Sequence, residues 1–487
     1  MIGIISYGAY LPRLRLNRKA MAAANAWMDP ALRAHGQGER TMANWDEDSI
    51  TMAVEAARDC LGGIDRRSIA SVYFASTTLP YADRQNSGVI AAALDLPEHL
   101  ATLDMTGSQK AATSGLLACL NATKATGENV LFAAADKRRT KSACAQEMQF
   151  GDGAAALLLG SGNVVAEFLG GHSVSVDFVD HYRGQNRPFD YAWEDRWIRD
   201  EGFGRIIPPA MAAALDKAGI RAGDIDHFVL PCVYSGVAAS IAAKAGLRAE
   251  SVRDNLAAVC GETGAAHAIV MLVDALQGAA PGQLILVAGF GQGSDVLLFR
   301  ATDALAALSE RSGVRGSLAR RKEESNYMKF LTFNQLVTQE RGIRAEYNPQ
   351  TALSAMYRKR KMILGLIGGI CPKCHTPQFP KEGVCVNPGC RAVGPQDDFP
   401  FAERPAHIAS WSADALAYSI DPPSHYGMIQ FDGGGRFMAD FTDCDVGAVQ
   451  VGMPVRMVFR ILGVDETRGM TRYFWKAAPV YTSSAGN

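Results

Sequence analysis

Four cysteines, Cys371, Cys374, Cys385 and Cys390, stand in two close pairs, C-x2-C and C-x4-C, held by the turns Pro372-Lys373 and Pro388-Gly389. Thiolates so spaced suit a tetrahedral ion that prefers soft ligands. With no fifth donor or open position evident, the expectation is structural Zn2+ in a ribbon, a rubredoxin-like iron site being the alternative. His375 adjoins the second cysteine, but four thiols leave it no ligand position. A second centre for chemistry lies in residues 103–159, where the small-residue turn Thr106, Gly107, Ser108 runs into the apolar stretch 111–122. A side chain at the start of a buried helix sits beside unpaired backbone N–H groups and the positive end of the helix dipole, a place for a nucleophile or an oxyanion. A third lies in residues 177–202, where Arg183, Arg187 and Arg196 mix with His181, Tyr182, Tyr191, Trp193 and Trp197. Aromatic rings there could stack an adenine while guanidinium groups pair with phosphates. The plainer reading is a surface insertion or a dimer contact.

The elements that must position these groups are read from periodicity. Residues 2–10 read as a buried strand, and residues 45–61 as an amphipathic helix with Asp46, Glu47 and Asp48 at its start, where the dipole favours negative charge. Residues 71–76, 130–135 and 154–159 read as strands around the apolar helix 111–122, with a Gly-Asp-Gly turn before the last. A second half repeats this order: 226–233 parallels 71–76, and 283–300 parallels 129–159. Residues 313–361 are charged and helical in pattern, which reads as a solvated linker or, more sharply, as a phosphate contact. Residues 406–419, 426–431, 435–441 and 454–464 read as short strands between Gly and Asp turns, as in a small barrel.

Composition narrows the classes of function. The 487 residues are 48% hydrophobic, enough for two or three domains with large cores. Forty-nine basic against fifty acidic side chains give a net charge of −1, so no overall field favours nucleic acid or a membrane, and the substrate belongs in a pocket. No apolar run of about 18 residues and no signal-peptide pattern occurs, so a cytoplasmic protein is expected. Six of the ten cysteines are scattered among apolar neighbours, as buried thiols in a reducing compartment would be.

The pattern around residues 103–159 resembles the thiolase superfamily, most closely its 3-hydroxy-3-methylglutaryl-CoA synthase and ketoacyl synthase III branches. The family's cysteine-Lys-Ala-Gly-Thr motif falls on Lys110, Ala111, Ala112 and Thr113, with Gln109 where the nucleophilic cysteine belongs. Pro80, Tyr81 and Ala82 match archaeal members, and the synthases' glutamate general acid falls on Thr77. The family's histidine and asparagine fall on Pro231 and Glu262. The resemblance implies a duplicated five-layer αβαβα fold that binds acyl-CoA, with coenzyme A as the substrate carrier and a homodimer or higher homo-oligomer as the assembly. The candidate catalytic residues are Gln109 as an amide donor, Glu262 as a base if no cation pairs with it, His267 one helical turn further on, Thr77, and Cys232 and Cys260 as relocated thiols. Glu262 as a cap, His267 as a core histidine and the two cysteines as inert thiols are the structural alternatives.

The order of basic helix, zinc ribbon and barrel ending in Val451-Gly-Met-Pro-Val455 resembles the OB-fold proteins that accompany thiolases and hydroxymethylglutaryl-CoA synthases. The expected division is thiolase-like halves at 1–165 and 166–312, a helical linker at 313–366, a ribbon at 367–398 and an OB-fold at 399–487. The implied activity is acyl transfer, or carbon–carbon bond formation or cleavage, at a β-keto or β-hydroxy acyl-CoA. The alternatives are a cysteine-independent retro-aldolase, with Tyr182 and Tyr234 as candidate acids, and a non-catalytic CoA-binding scaffold.

Overall fold

A computed structural model describes residues 1–345, 350 and 352–481. Positions 346–349 and 351 of the expected linker and 482–487 of the expected OB-fold lie outside the described residues. The chain forms two compact units, the first built from Met1–Asn44, Asp48–Gly88 and Pro97–Leu336, the second from Trp45–Glu47, Val89–Leu96 and Val337–Asn487.

The first unit is a thiolase-like α/β fold. Its nine strands run in the order His227–Val229, Leu284–Phe290, Gly293–Ala301, Ala166–Ser175, Ile2–Tyr10, Gly153–Ser161, Asn129–Asp136, Ile69–Ala75 and Ala101–Met105. The duplication read from the sequence is visible in the pairing. Ile69–Ala75 lies parallel to Asn129–Asp136, which turns back antiparallel into Gly153–Ser161, and His227–Val229, Leu284–Phe290 and Gly293–Ala301 repeat that pattern. The halves join where Gly3 and Ile4 pair with Glu167 and Ala166. A Cβ on Gly3 would lie 2.0 Å from the Ala166 carbonyl oxygen, so only glycine lets the two strands meet there.

Burial is nearly continuous along the strands because both faces are covered. Ile285, Val287, Leu297 and Phe299 face a core shared with the central helices Ala111–Thr126 and His267–Gly278, whereas Leu286, Ala288, Val296 and Leu298 face the outer helix Gly204–Ala218. On the other half the outer layer is Ser49–Cys60. Its cap is Asp48, in a reciprocal box with Thr51. Asp46 and Glu47, expected as dipole-stabilising acids of this helix, belong instead to the second unit.

The first central helix approaches strand Leu284–Phe290 closely at Gly289, where a Cβ would meet Thr113 Oγ1 at 2.3 Å. Gly289→Ala is expected to lower stability by about 1–3 kcal/mol, because the extra methyl must push strand from helix. A denaturant midpoint equal to wild type would contradict this.

Residues 313–336 of the expected linker are built into the first unit. Gly313–Ala319 and Tyr327–Phe333 are helical, and Lys322–Glu324 pairs in parallel with Leu14–Asn17. Two basic side chains of this stretch are engaged locally: Arg321 pairs with Glu39, and Arg320 lies 5.2 Å from the centre of the Tyr10 ring.

In the second unit, Ile367–Ile370 pairs with Pro377–Gln378 and Asp397–Pro400. Beyond it lies a five-stranded sheet in the order Arg436–Asp440, Ser424–Phe431, Ala406–Asp414, Pro454–Asp465 and Met470–Pro479, and a bridge between Phe441 and Ala477 joins its two ends in the manner of a barrel. The last strand is absent from the sequence reading. Within this unit Asp46 accepts from Lys476 at 2.9 Å and Glu47 pairs with Arg460 at 2.9 Å, all four side chains being at most 4% exposed.

Candidate functional site

Strands Ile69–Ala75 and Asn129–Asp136 end side by side, and the buried carboxylate of Asp136 ties residues 76–78 to the end of its own strand. Its Oδ1 accepts from Ser76 Oγ, Thr77 N and Thr78 Oγ1, each at 2.8 Å, and its Oδ2 from Thr77 Oγ1 at 2.9 Å and Ala265 N at 2.7 Å. Thr77 is thereby a structural donor. Its hydroxyl is committed to Asp136, and it is not among the residues that line the neighbouring cavity.

That cavity, of about 170 Å³, lies at the start of the central helix. Gln109, Arg138, Phe150, Asp180, His181, Asp190, Pro231, Cys232, Tyr234 and Glu262 are in its wall. Gln109 Nε2 donates to Glu262 Oε1 at 2.9 Å, and Arg138 donates to Glu262 Oε2 at 3.1 Å. An ionised carboxylate only accepts, so Glu262 fixes which end of the Gln109 amide faces it. The other end, Oε1, is buried and has no hydrogen-bond partner among the described residues.

Arg138 is the centre of this arrangement. Its guanidinium lies 3.9 Å from the centre of the Phe150 ring and also pairs with Asp190, which a second arginine, Arg183, approaches at 3.4 Å. Burial by itself would lower the Arg138 pKa, but Glu262 and Asp190 raise it above the ordinary value. Burial pushes the Asp190 carboxyl up, and Arg138 more than reverses this, holding it below the usual range. Glu262 as a free base is therefore corrected: a cation does pair with it.

The other candidates divide by position. Cys232 is in the cavity wall but 5% exposed, and burial pushes its thiol up to about 12. Cys260 is outside the lining, fully buried, donates to the Gly261 carbonyl at 3.2 Å and is likewise pushed up to about 12 by burial. His267 is also outside it. The short helical turn Gly264–Ala266 rotates the ring toward the interior, where Nδ1 accepts from Thr263 N at 3.2 Å and Nε2 lies 2.9 Å from the Asn255 carbonyl oxygen. Both nitrogens are used, as in a core histidine. Of the three arginines offered to a cofactor, Arg183 pairs with Asp190 and donates to the Thr77 carbonyl, whereas Arg187 and Arg196 are exposed and outside the lining.

Burial holds the His267 imidazole below its ordinary value of 6.5. The unfolded chain then binds a proton that the folded chain refuses, so this contribution is complete above 6.5 and is lost as pH falls toward the lowered folded value. The melting temperature is expected to drop between about pH 7 and about pH 5, with a smaller drop in His267→Gln. Identical slopes would contradict this.

Sequence reasoning missed Arg138 and Asp190 altogether. Arg138 sits in the run Lys137-Arg138-Arg139, which looks like a solvated turn. Its signal is its place, immediately after the carboxyl end of a buried strand, where α/β folds gather their sites.

In the second unit the four Sγ atoms of Cys371, Cys374, Cys385 and Cys390 all lie within 4.8 Å of one another, with Cys374 to Cys385 at 3.5 Å and Cys371 to Cys390 at 4.0 Å. A tetrahedral Zn–S bond of about 2.3 Å implies sulfur separations of roughly 3.8 Å, so the residues present fit that ion.

Two family models match: the C-terminal region of 3-oxoacyl-[acyl-carrier-protein] synthase III over residues 215–297, and the C-terminal OB-fold domain of ChsH2 over residues 402–460. The hydroxymethylglutaryl-CoA synthase of Aeropyrum pernix is 30% identical over 311 residues, covering 62% of this chain and 86% of that protein. The chain belongs to the hydroxymethylglutaryl-CoA synthase family. Another member, from Caldivirga maquilingensis, is 27% identical over 345 residues, 69% of this chain and 98% of its own length. The match to that relative leaves about three tenths of this chain unaligned, and the ChsH2-type OB-fold model matches residues 402–460. Among solved structures, MvaS in complex with 3-hydroxy-3-methylglutaryl coenzyme A has a TM-score of 0.58 at 19% identity, covering 70% of this chain and 92% of that one. An HMG-CoA synthase complexed with CoA has a TM-score of 0.59 at 15% identity, covering 72% and 94%. Both likenesses are of fold.

Proposed function

We propose that this chain forms or cleaves a carbon–carbon bond next to the carbonyl of a CoA thioester, through an enolate and without an acyl-enzyme. The observation that carries the reading is the mouth of the central helix. The group there is the amide of Gln109, held by Glu262, which Arg138 engages in turn, and the thiol in the cavity wall, Cys232, is pushed up to about 12. An amide cannot take up an acyl group from coenzyme A, but its remaining N–H can donate to an oxygen that gains charge as the enolate forms. The four cysteines of the second unit would hold zinc as a structural ion.

Acyl transfer through Cys232 is the second reading, favoured by its place in the cavity wall. The purified protein, incubated with β-hydroxy and β-keto acyl-CoAs with and without free CoA, distinguishes the two. The first reading expects cleavage that does not require added CoA and survives Cys232→Ser with less than about a threefold change. Cleavage that requires CoA and is abolished by that substitution supports transfer, and no reaction with any thioester supports a binding scaffold.

A further inference from the structure

The cavity wall holds an imidazole at a place where the family resemblance puts none. His181 lies in the short strand His181–Tyr182, paired with Tyr191–Ala192, and the hairpin is pinned where Trp193 N donates to the Asp180 carbonyl at 2.9 Å. His181 Nδ1 is 2.9 Å from Asp180 Oδ2, and the other oxygen of that carboxylate accepts from Gln292 Nε2 at 3.3 Å. Asp180 is 8% exposed and the His181 side chain 21%, so the carboxylate is enclosed while the ring keeps access to the cavity. An ionised carboxylate can only accept, which places the proton of a neutral ring on Nδ1 and leaves Nε2 with a free lone pair. The other basic groups of the wall are committed. Glu262 is engaged by Arg138 and Gln109, Asp190 by Arg138 and Arg183, and the Tyr234 hydroxyl donates to Asp195 at 3.2 Å.

We propose that His181, oriented by Asp180, is the general base of this cavity, taking the place of a histidine at position 231, where the chain has proline. The assignment deepens the carbon–carbon bond reading and rests on it. In the cleavage direction Nε2 takes the proton of the β-hydroxyl group, and the freed O–H electron pair forms the new C=O bond. The carbon–carbon bond breaks, and its electron pair passes to the α-carbon as an enolate conjugated with the thioester carbonyl. The imidazolium then returns its proton to the α-carbon. A carbonyl compound and a shortened acyl-CoA leave, with no oxidant, leaving group or covalent enzyme intermediate. Run in reverse, the first event is removal of an α-proton from the shorter thioester, and that event can be observed alone.

The test is exchange of the α-protons of acetyl-CoA for deuterium in D2O, followed by mass spectrometry, together with cleavage of 3-hydroxy-3-methylglutaryl-CoA. Wild-type protein is expected to catalyse both. His181→Ala should lose on the order of 10²–10⁴-fold in rate while binding acetyl-CoA as before, and added imidazole should restore part of the loss. Asp180→Asn, a change at a positioning residue, should lower kcat with KM unchanged. An exchange rate in His181→Ala within about threefold of wild type, or a loss that imidazole does not restore in a variant that folds and binds, overturns the assignment and leaves the broader reading standing. Failure of wild type to exchange or cleave either thioester overturns both.

Discussion

Arg138→Met is expected to cost the first unit about 3–5 kcal/mol and to abolish turnover, because it leaves Glu262 and Asp190 as enclosed carboxylates with their shared cation removed. The Asp190 and Glu262 side chains are themselves only 9% and 11% exposed, so solvent compensates poorly for the lost cation. The Phe150 face also loses its cation, a smaller term of about 1–2 kcal/mol. Arg138→Lys should recover only part of the loss, since a single ammonium cannot reproduce the planar fork that meets both carboxylates. The pairing itself is isolated by a double-mutant cycle with Glu262→Gln. That substitution removes one stranded charge, so the double variant should be more stable than Arg138→Met alone. Urea midpoints give the measurement, and a single variant as stable as wild type would contradict the geometry.

The other large effect lies in the second unit. Its three ribbon strands, Ile367–Ile370, Pro377–Gln378 and Asp397–Pro400, are too short to bury a core of their own. Four sulfur atoms within 4.8 Å of one another form a ligand set that takes up an ion as thiolates and releases their protons on doing so. In isolated zinc-finger peptides such binding is worth about 10–16 kcal/mol, which there is the folding free energy. Chelation of the purified protein should therefore release zinc and expose residues 367–400 to hydrogen exchange, and Cys371→Ser should do the same without a chelator. Protection in the first unit, around Asn129–Asp136, should be unchanged. Full protection of the ribbon after metal removal would contradict a structural ion.

The residues legible in sequence were those whose environment is set locally. Apolar runs such as 130–135 and 154–159 declared strands covered on both faces, and the order strand, glycine turn, strand recurring at 283–300 disclosed the duplication that the sheet displays. The cysteine spacing declared a cluster because C-x2-C and C-x4-C turns bring thiols together whatever surrounds them. Gln109 stood out because a motif in register on both sides fixed its place at the helix start.

What sequence could not reach depends on which distant side chains share a wall. Asp190 and Arg138 are 52 positions apart, and Arg138 and Glu262 are 124 apart, so nothing local links them. Asp46 and Glu47 looked like dipole-stabilising acids, because the partners that claim them, Arg460 and Lys476, come over 400 residues later. His267 lay one turn beyond Glu262 in sequence, yet the turn Gly264–Ala266 directs it into the core. In sequence His181 is one member of an aromatic and basic insertion, and only the folded hairpin separates it from its exposed neighbours and sets it against Asp180. The strand Met470–Pro479 escaped because lysine and arginine interrupt its apolar alternation.

The proposed reaction uses the Gln109 amide at the start of the central helix, where the family's attacking thiol is expected. Intact-protein mass spectrometry of samples quenched during turnover of 3-hydroxy-3-methylglutaryl-CoA tests it most directly. An unmodified protein mass is expected at every time point while free thioester products accumulate. An acyl adduct on a cysteine, forming and decaying at the rate of turnover, would contradict it.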